Sequence, residues 1–303
     1  MISYHSMDID EINIFYRQAG SRDKPTLILL HGFPSSSHMF RDLIPLLEND
    51  FFVIAPDFPG FGNSSSPDRK NFNYTFDNLS DVIERFIYRL NLEQYSLFVF
   101  DYGAPIGFRI AMRHPERVIA IINQNGNVYR EGLGIKWAKR EEYWANPTSE
   151  KRMSYKSAFS PSTIKFQYTE GTLDGQISPD GYTLDVFYMN RPGNEEKQLD
   201  LIYDYQSNVK LYPQFQKYLK TYQPPLLAVW GKNDSSFVPA GALAFKKDVP
   251  HAEVHLLETG HFALETHAKE IGHLIIQFFR RLKSSTVRNL DRTDYTDEMD
   301  GLK

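Results

Sequence analysis

The stretch Tyr95-Ser-Leu-Phe-Val-Phe-Asp101-Tyr102-Gly103-Ala104-Pro105-Ile106-Gly107 runs from short and apolar to acidic, then through a glycine into a helical pattern. A carboxylate at that junction stands on a sharp strand-to-helix turn. Gly103 permits the tight backbone the turn requires, and the following helix brings its N-terminal amides close to Asp101. This is the geometry of a nucleophile elbow, with Asp101 at the exposed position. Taken alone, Asp101 reads equally as an N-cap for a helix over 104–114.

Outward from this segment the same kind of apolar run recurs at 26–30, 52–55, 118–122, 226–230 and 252–257. Short runs without alternation suit strands of a parallel sheet covered on both faces. Helical patterns at 37–47, 78–90, 104–114, 240–247 and 263–282 fall between them, so the chain reads as an α/β layer architecture. At the N-terminus, 2–7 and 12–17 flank the acidic, turn-prone stretch 8–11 and predict an antiparallel hairpin at a sheet edge. The rhythm breaks after Asn123, and the Tyr-rich stretch over about 134–219 carries helical patches without a clear strand, as an inserted helical cap would. The expected division is a core over 1–130 and 220–285, a cap over 131–219, and a polar, frayed tail over 286–303.

Composition limits the partners. With 303 residues, 41% of them hydrophobic, the chain can bury a sizeable core. Thirty-four Lys plus Arg against 38 Asp plus Glu leave a net charge of -4, which offers no electrostatic footprint for nucleic acid. The absence of cysteine excludes catalytic thiols, disulfides and Cys-ligated metals, and suits a reducing compartment. No secretory signal and no membrane-length apolar run is evident, so the expectation is cytoplasmic, with no membrane partner. The nine histidines show no metal-type spacing, and neither cofactor nor metal is called for.

Two further loops carry chemistry. After the run at 226–230, Gly231-Lys-Asn-Asp234 places an acid just beyond a strand; after 252–257, Gly260-His261 places a histidine. Asp101, Asp234 and His261 then follow the chain order nucleophile, acid, histidine. His31-Gly32-Phe33-Pro34 leaves the strand at 26–30, and the backbone amides of Phe33 and Tyr102 are the expected oxyanion-hole donors.

Together the HGFP segment, the Asp57-to-Ser64 loop, the Asp101 elbow, the Asp234 loop and Gly260-His261 resemble the α/β-hydrolase superfamily, specifically its epoxide hydrolase and haloalkane dehalogenase branch. The resemblance implies an α/β-hydrolase fold, a mostly parallel eight-stranded sheet flanked by helices with an inserted cap. The Asp57-to-Ser64 loop is read as structural, because its glycines suit tight turns. An aspartate at the elbow, where a serine is better known, implies an alkyl-enzyme ester formed at a saturated carbon, not an acyl-enzyme.

Within that branch the leaving group decides the reaction. A halide needs N–H donors, which the dehalogenases supply from a Trp after the nucleophile and an Asn in the first loop; these positions hold Tyr102 and Phe33. Fluoroacetate dehalogenases place an Arg after the nucleophile, where Tyr102 brings no charge. An epoxide oxygen needs an acid instead. The family's cap tyrosines are similar in context to Tyr143, in Tyr143-Trp144-Ala-Asn-Pro147, and Tyr205, in Tyr205-Gln-Ser-Asn208, where Gln206 replaces the usual Arg. Hydrolysis of a small apolar epoxide with water is therefore the expectation. A haloalkane dehalogenase, with Trp137 or Trp144 as halide donor, and a non-catalytic ligand-binding protein are the alternatives. A homodimer is left open.

Overall fold

The computed structural model describes the backbone over residues 1–299 and side chains through Ser284. Eight strands form one sheet: β1 (Ser3–Ile9), β2 (Ile12–Ala19), β3 (Thr26–Leu30), β4 (Phe52–Pro56), β5 (Tyr95–Phe100), β6 (Val118–Gln124), β7 (Leu226–Gly231) and β8 (Glu253–Leu257). Their order is β1-β2-β4-β3-β5-β6-β7-β8. β1 and β2 form the N-terminal hairpin at one edge, and β2 also runs antiparallel to β4. From β4 to β8 every pair is parallel. β3, β5 and β7 are almost wholly buried along their length, because helices cover both faces. β8 closes the far edge and is only partly covered.

Helices on both faces of the sheet complete the core. The short α1 (Ile44–Leu47) precedes β4, and α2 (Phe76–Arg89) precedes β5. On α2 the buried positions Phe76, Leu79, Ile83, Phe86 and Ile87 recur at helical spacing, while Thr75 caps the N-terminus by accepting from Asn78 N–H. α3 (Gly103–Arg113) follows β5 directly.

Five helices enter between β6 and β7: α4 (Trp137–Ala145), α5 (Ser149–Ser154), α6 (Pro161–Thr169), α7 (Pro179–Met189) and α8 (Asn194–Tyr222). The inner face of α8 is a run of Leu199, Ile202, Tyr205, Val209, Tyr212, Phe215 and Leu219, spaced three or four residues apart and buried. The helix continues to Tyr222, past the expected limit at 219; it ends where Gln223 takes a left-handed conformation (φ 48) ahead of two prolines. α9 (Ala240–Asp248) and α10 (Leu264–Met299), which is kinked at His267, complete the chain. For the expected tail, 286–303, residues 300–303 lie outside the described residues, as do the side chains of the remainder. Among the described residues no helix is long and apolar enough to cross a membrane.

Arg109 on α3 ties the insertion to the core. Its guanidinium is buried, donates to Asn208 Oδ1 (2.6 Å) and Ser207 Oγ (3.1 Å) of α8, and pairs with Asp77 of α2. One side chain thus joins three helices. Breaking it would leave a buried cation without its partners.

Candidate active site

Asp101 follows β5, the strand that lies at the centre of the parallel region. Its backbone is in the left-handed region (φ 45), unusual for a non-glycine residue and held there by the packing around it. The packing leaves no room for a side chain two residues on. A Cβ on Gly103 would lie 2.2 Å from the Leu30 carbonyl oxygen, so β3 and the start of α3 approach this closely only through glycine. Gly32 performs the same service on the other side, where a Cβ would meet Asp101 Oδ1 at 2.6 Å.

The two oxygens of Asp101 have different surroundings. Oδ1 accepts from the Phe33 N–H at 2.7 Å, whereas Oδ2 faces His261 Nε2 at 3.6 Å. The Tyr102 amide makes no hydrogen bond among the described residues and is free to serve as a second donor. His261 Nδ1 in turn lies 2.6 Å from Asp234 Oδ2. Three residues from three loops are therefore in line: Asp101, His261, Asp234.

Asp234 is itself fixed from two directions. Its Oδ1 accepts from the Ser236 and Phe237 amides (2.8 and 3.0 Å), and its Oδ2 accepts from Asn125 Nδ2 at 2.8 Å. Asn125, also at positive φ (45), returns its Oδ1 to the Gly231 N–H. Beside it, Gln124 Nε2 donates to the His261 carbonyl at 2.9 Å. These two residues were missed by the sequence reading. Their signal was the amide-rich run Asn123-Gln-Asn-Gly-Asn127 at the end of a buried strand, where polar groups survive only when hydrogen-bonded.

Burial by itself would push the His261 imidazole down, but the carboxylates of Asp234 and Asp101 on its two nitrogens outweigh that and hold it well above the ordinary imidazole range. His31 shows the contrary case. It is fully buried without a charged partner, its pKa lowered to about 3 by desolvation, and its Nε2 accepts the Phe58 N–H at 3.0 Å. His31 is a neutral, load-sharing part of the turn. Asp57 is likewise occupied with the loop, accepting from the Ser37 and Asn63 amides at 2.7 Å each.

A cavity of about 250 Å³ opens over Asp101 and His261, walled by Phe33, Tyr102, Trp137 and Phe166 and rimmed by Lys136 and Arg140. Its size suits a small substrate. A larger cleft of about 560 Å³ between Arg69 and Tyr203 shares none of these residues, and Arg69 there is already paired with Asp200.

The two tyrosines of the insertion part company. Tyr205 is fully buried in an aromatic cluster against the cavity wall, its ring 4.6 Å from Trp137 and 5.9 Å from Tyr102 between centroids. Its hydroxyl forms no hydrogen bond of regular geometry, and burial holds it protonated, reinforced by the charge of Asp101 and the neighbouring Tyr212 hydroxyl. Tyr143 is not brought into this group. It faces a separate cavity with Lys139, Glu142 and Tyr155. The indoles are also committed: Trp137 Nε1 donates to the Ser236 carbonyl (2.9 Å), Trp144 Nε1 to Ile202 (3.2 Å) and Trp230 Nε1 to Phe237 (2.7 Å).

Comparison with known proteins places this geometry in a context. Residues 25–268 match the family described as alpha/beta hydrolase fold. An uncharacterized hydrolase of Saccharomyces cerevisiae is 43% identical over 91% of this chain and 97% of its own length. A haloalkane dehalogenase of Mycolicibacterium paratuberculosis is 27% identical, covering 91% of this chain and 90% of its own. Among solved structures, haloalkane dehalogenase DbeA from Bradyrhizobium elkani superposes with a TM-score of 0.78 at 22% identity, over 94% of this chain and all of that one (100%).

Proposed function

This chain belongs to the α/β-hydrolase fold family, and from that premise we propose that it opens a small epoxide to a vicinal diol through a covalent ester on Asp101. The observation that carries the reading is the unequal setting of the two Asp101 oxygens, one on the Phe33 amide and one free toward His261 and the cavity.

In the first step Asp101 Oδ2 attacks a ring carbon of the epoxide, and the C–O bond breaks. The oxygen leaves as an alkoxide and needs a proton. Tyr205, protonated and without a regular hydrogen bond, is the group proposed to give it. In the second step His261 Nε2 takes a proton from water, and the resulting hydroxide adds to the ester carbonyl carbon. Negative charge then develops on Asp101 Oδ1, already seated on the Phe33 N–H. Collapse breaks the bond from the carboxyl carbon to the diol oxygen, which takes the imidazolium proton as the diol leaves; the remaining acid proton of Asp101 returns to the Tyr205 phenolate, and one oxygen of water stays in the regenerated carboxylate. Asp234 orients His261 and stabilises its charged form. The helical insertion acts as the cap that closes the cavity.

Epoxide is favoured over halide because the indole N–H groups that would hold a departing halide are spent on backbone carbonyls. Assay of the purified protein against styrene oxide, a 1-haloalkane and a p-nitrophenyl ester tests this. Diol is expected from the first, while halide release as the dominant activity would overturn the reading. In the same assay Tyr205→Phe should lower diol formation about 100-fold, the scale of a lost general acid, and Tyr143→Phe should change it little. Equal effects of the two substitutions would reject Tyr205 as the acid.

A further inference from the structure

Within the cavity over Asp101 the charged groups are matched, with one exception. Lys136 Nζ is held by Glu170 (2.9 and 3.2 Å) and by Ser235 Oγ (2.6 Å). Asp101 and Asp234 flank His261 and raise its pKa. Arg140, one turn further along α4, lines the same cavity yet forms no hydrogen bond or ion pair among the described residues. Its guanidinium lies over the Trp137 ring, 4.3 Å from the centroid.

The platform under it is rigid. Trp137 is pinned by its indole N–H to the Ser236 carbonyl and packed between Phe237 (5.2 Å) and Tyr205 (4.6 Å). Ser236 and Phe237 are the residues whose amides hold Asp234, so the guanidinium is registered to the reacting end of the cavity. Stacking through its face leaves the edges of a guanidinium, with their paired N–H donors, free to engage a planar anion.

We propose that Arg140 binds a carboxylate on the substrate, so that the preferred substrates of this site are small epoxides bearing an acid group. The inference rests on the reading of Asp101 as the nucleophile and extends it to substrate class. One end of the molecule lies against Arg140 and the other against Asp101, a fit that a cavity of about 250 Å³ restricts to short acids. The guanidinium also offsets the repulsion that the net negative charge of two carboxylates and one imidazolium would impose on an entering anion. A single arginine matches a single carboxylate in two parallel hydrogen bonds.

The test is calorimetric titration with an unreactive pair of equal shape, 3-phenylpropanoate and 3-phenylpropanamide. Wild-type protein should bind the carboxylate about tenfold more tightly than the amide, the factor expected of one partly exposed charge-assisted pair. Arg140→Gln should bring that ratio close to one, and Arg140→Lys should restore only part of it. A ratio near one in the wild type, an unchanged ratio in Arg140→Gln, or no carboxylate binding at millimolar concentration would each overturn the proposal. Diol formation by the wild-type protein from styrene oxide and from its acid-bearing analogue 3-phenylglycidate is read separately. Diol from either without carboxylate preference rejects the role of Arg140 and keeps the nucleophile; carboxylate preference with diol from neither keeps the anion site and rejects the epoxide reading.

Discussion

His261 carries opposing demands that the structure reconciles in time. In the resting site two carboxylates raise the pKa of its imidazole, which favours the charged form and works against its use as a base. In the proposed reaction, esterification of Asp101 would remove one of those charges, so the imidazolium would become more acidic and release its proton to solvent before hydrolysis calls for a base. His261→Gln should therefore leave the first step running and block the second. Intact mass spectrometry after mixing with styrene oxide should show the variant heavier by one epoxide, with turnover reduced about 1,000-fold. Unmodified variant protein that still turns over at the wild-type rate would reject the assignment. At this scale much was legible. Asp101, Asp234 and His261 lie in loops just beyond the strands, and the Phe33 amide donates to Asp101 Oδ1. Asn125 was not legible, because its role depends on β6 lying next to β7, an adjacency that no local pattern encodes. Tyr143 illustrates the converse: a sequence context fixes the helix a residue sits on but not the direction it faces.

Elements with uniform burial were read to within a residue or two. β3 and β5 begin and end where their apolar runs do, since a strand covered on both faces needs apolar residues at every position. The segment at 37–47 came out differently, as a single 3-10 turn over Ser37–Phe40 and the short helix α1. Ser36 caps the first piece, and Pro45 opens the second, which divides what periodicity alone joins. Within the insertion the limits of α4 to α8 were obscured by tyrosine, which serves a buried face and a solvated one with equal ease. Tyr205, Tyr212 and Tyr218 are all buried on α8, whereas Tyr222 is exposed. The β5-to-α3 junction yields a prediction of its own. Gly103→Ala forces a Cβ against the Leu30 carbonyl, so it should lower stability by about 3 kcal/mol and displace Asp101 from the Phe33 amide. Denaturant titration and diol formation should both register the change; a variant with wild-type midpoint and rate would show that the junction can relax.

Across the whole molecule, the insertion and the core meet through ionisable groups as well as apolar ones. Tyr168 of α6 stacks on Phe262, the neighbour of His261, at 3.8 Å and donates its hydroxyl to the buried Asp185 of α7. Desolvation raises the Asp185 carboxyl to about 7, with Glu265 adding to the rise and Arg41, Tyr168 and Ser35 opposing it. A folded-state value above the unfolded one means that the native protein holds this proton more firmly, so the contribution to stability is full below about pH 4 and is lost as pH rises toward 7. Asp185→Asn should remove that component and flatten the fall of the thermal midpoint between pH 4 and 7. A variant whose midpoint follows pH as steeply as the wild type would refute the assignment.

Among the described residues, every hydrogen bond to the side chains of Asp101, Asp234 and His261 comes from loops at the ends of the sheet or from one another, and none from α4 to α8. Asp101, His261 and Asp234 thus keep their geometry without help from the insertion, which contributes the cavity wall and the proposed acid Tyr205. Exchange of the insertion for that of a relative would redirect the site only where the graft brings an acid of its own, whereas a single altered loop at the sheet would silence it for every substrate.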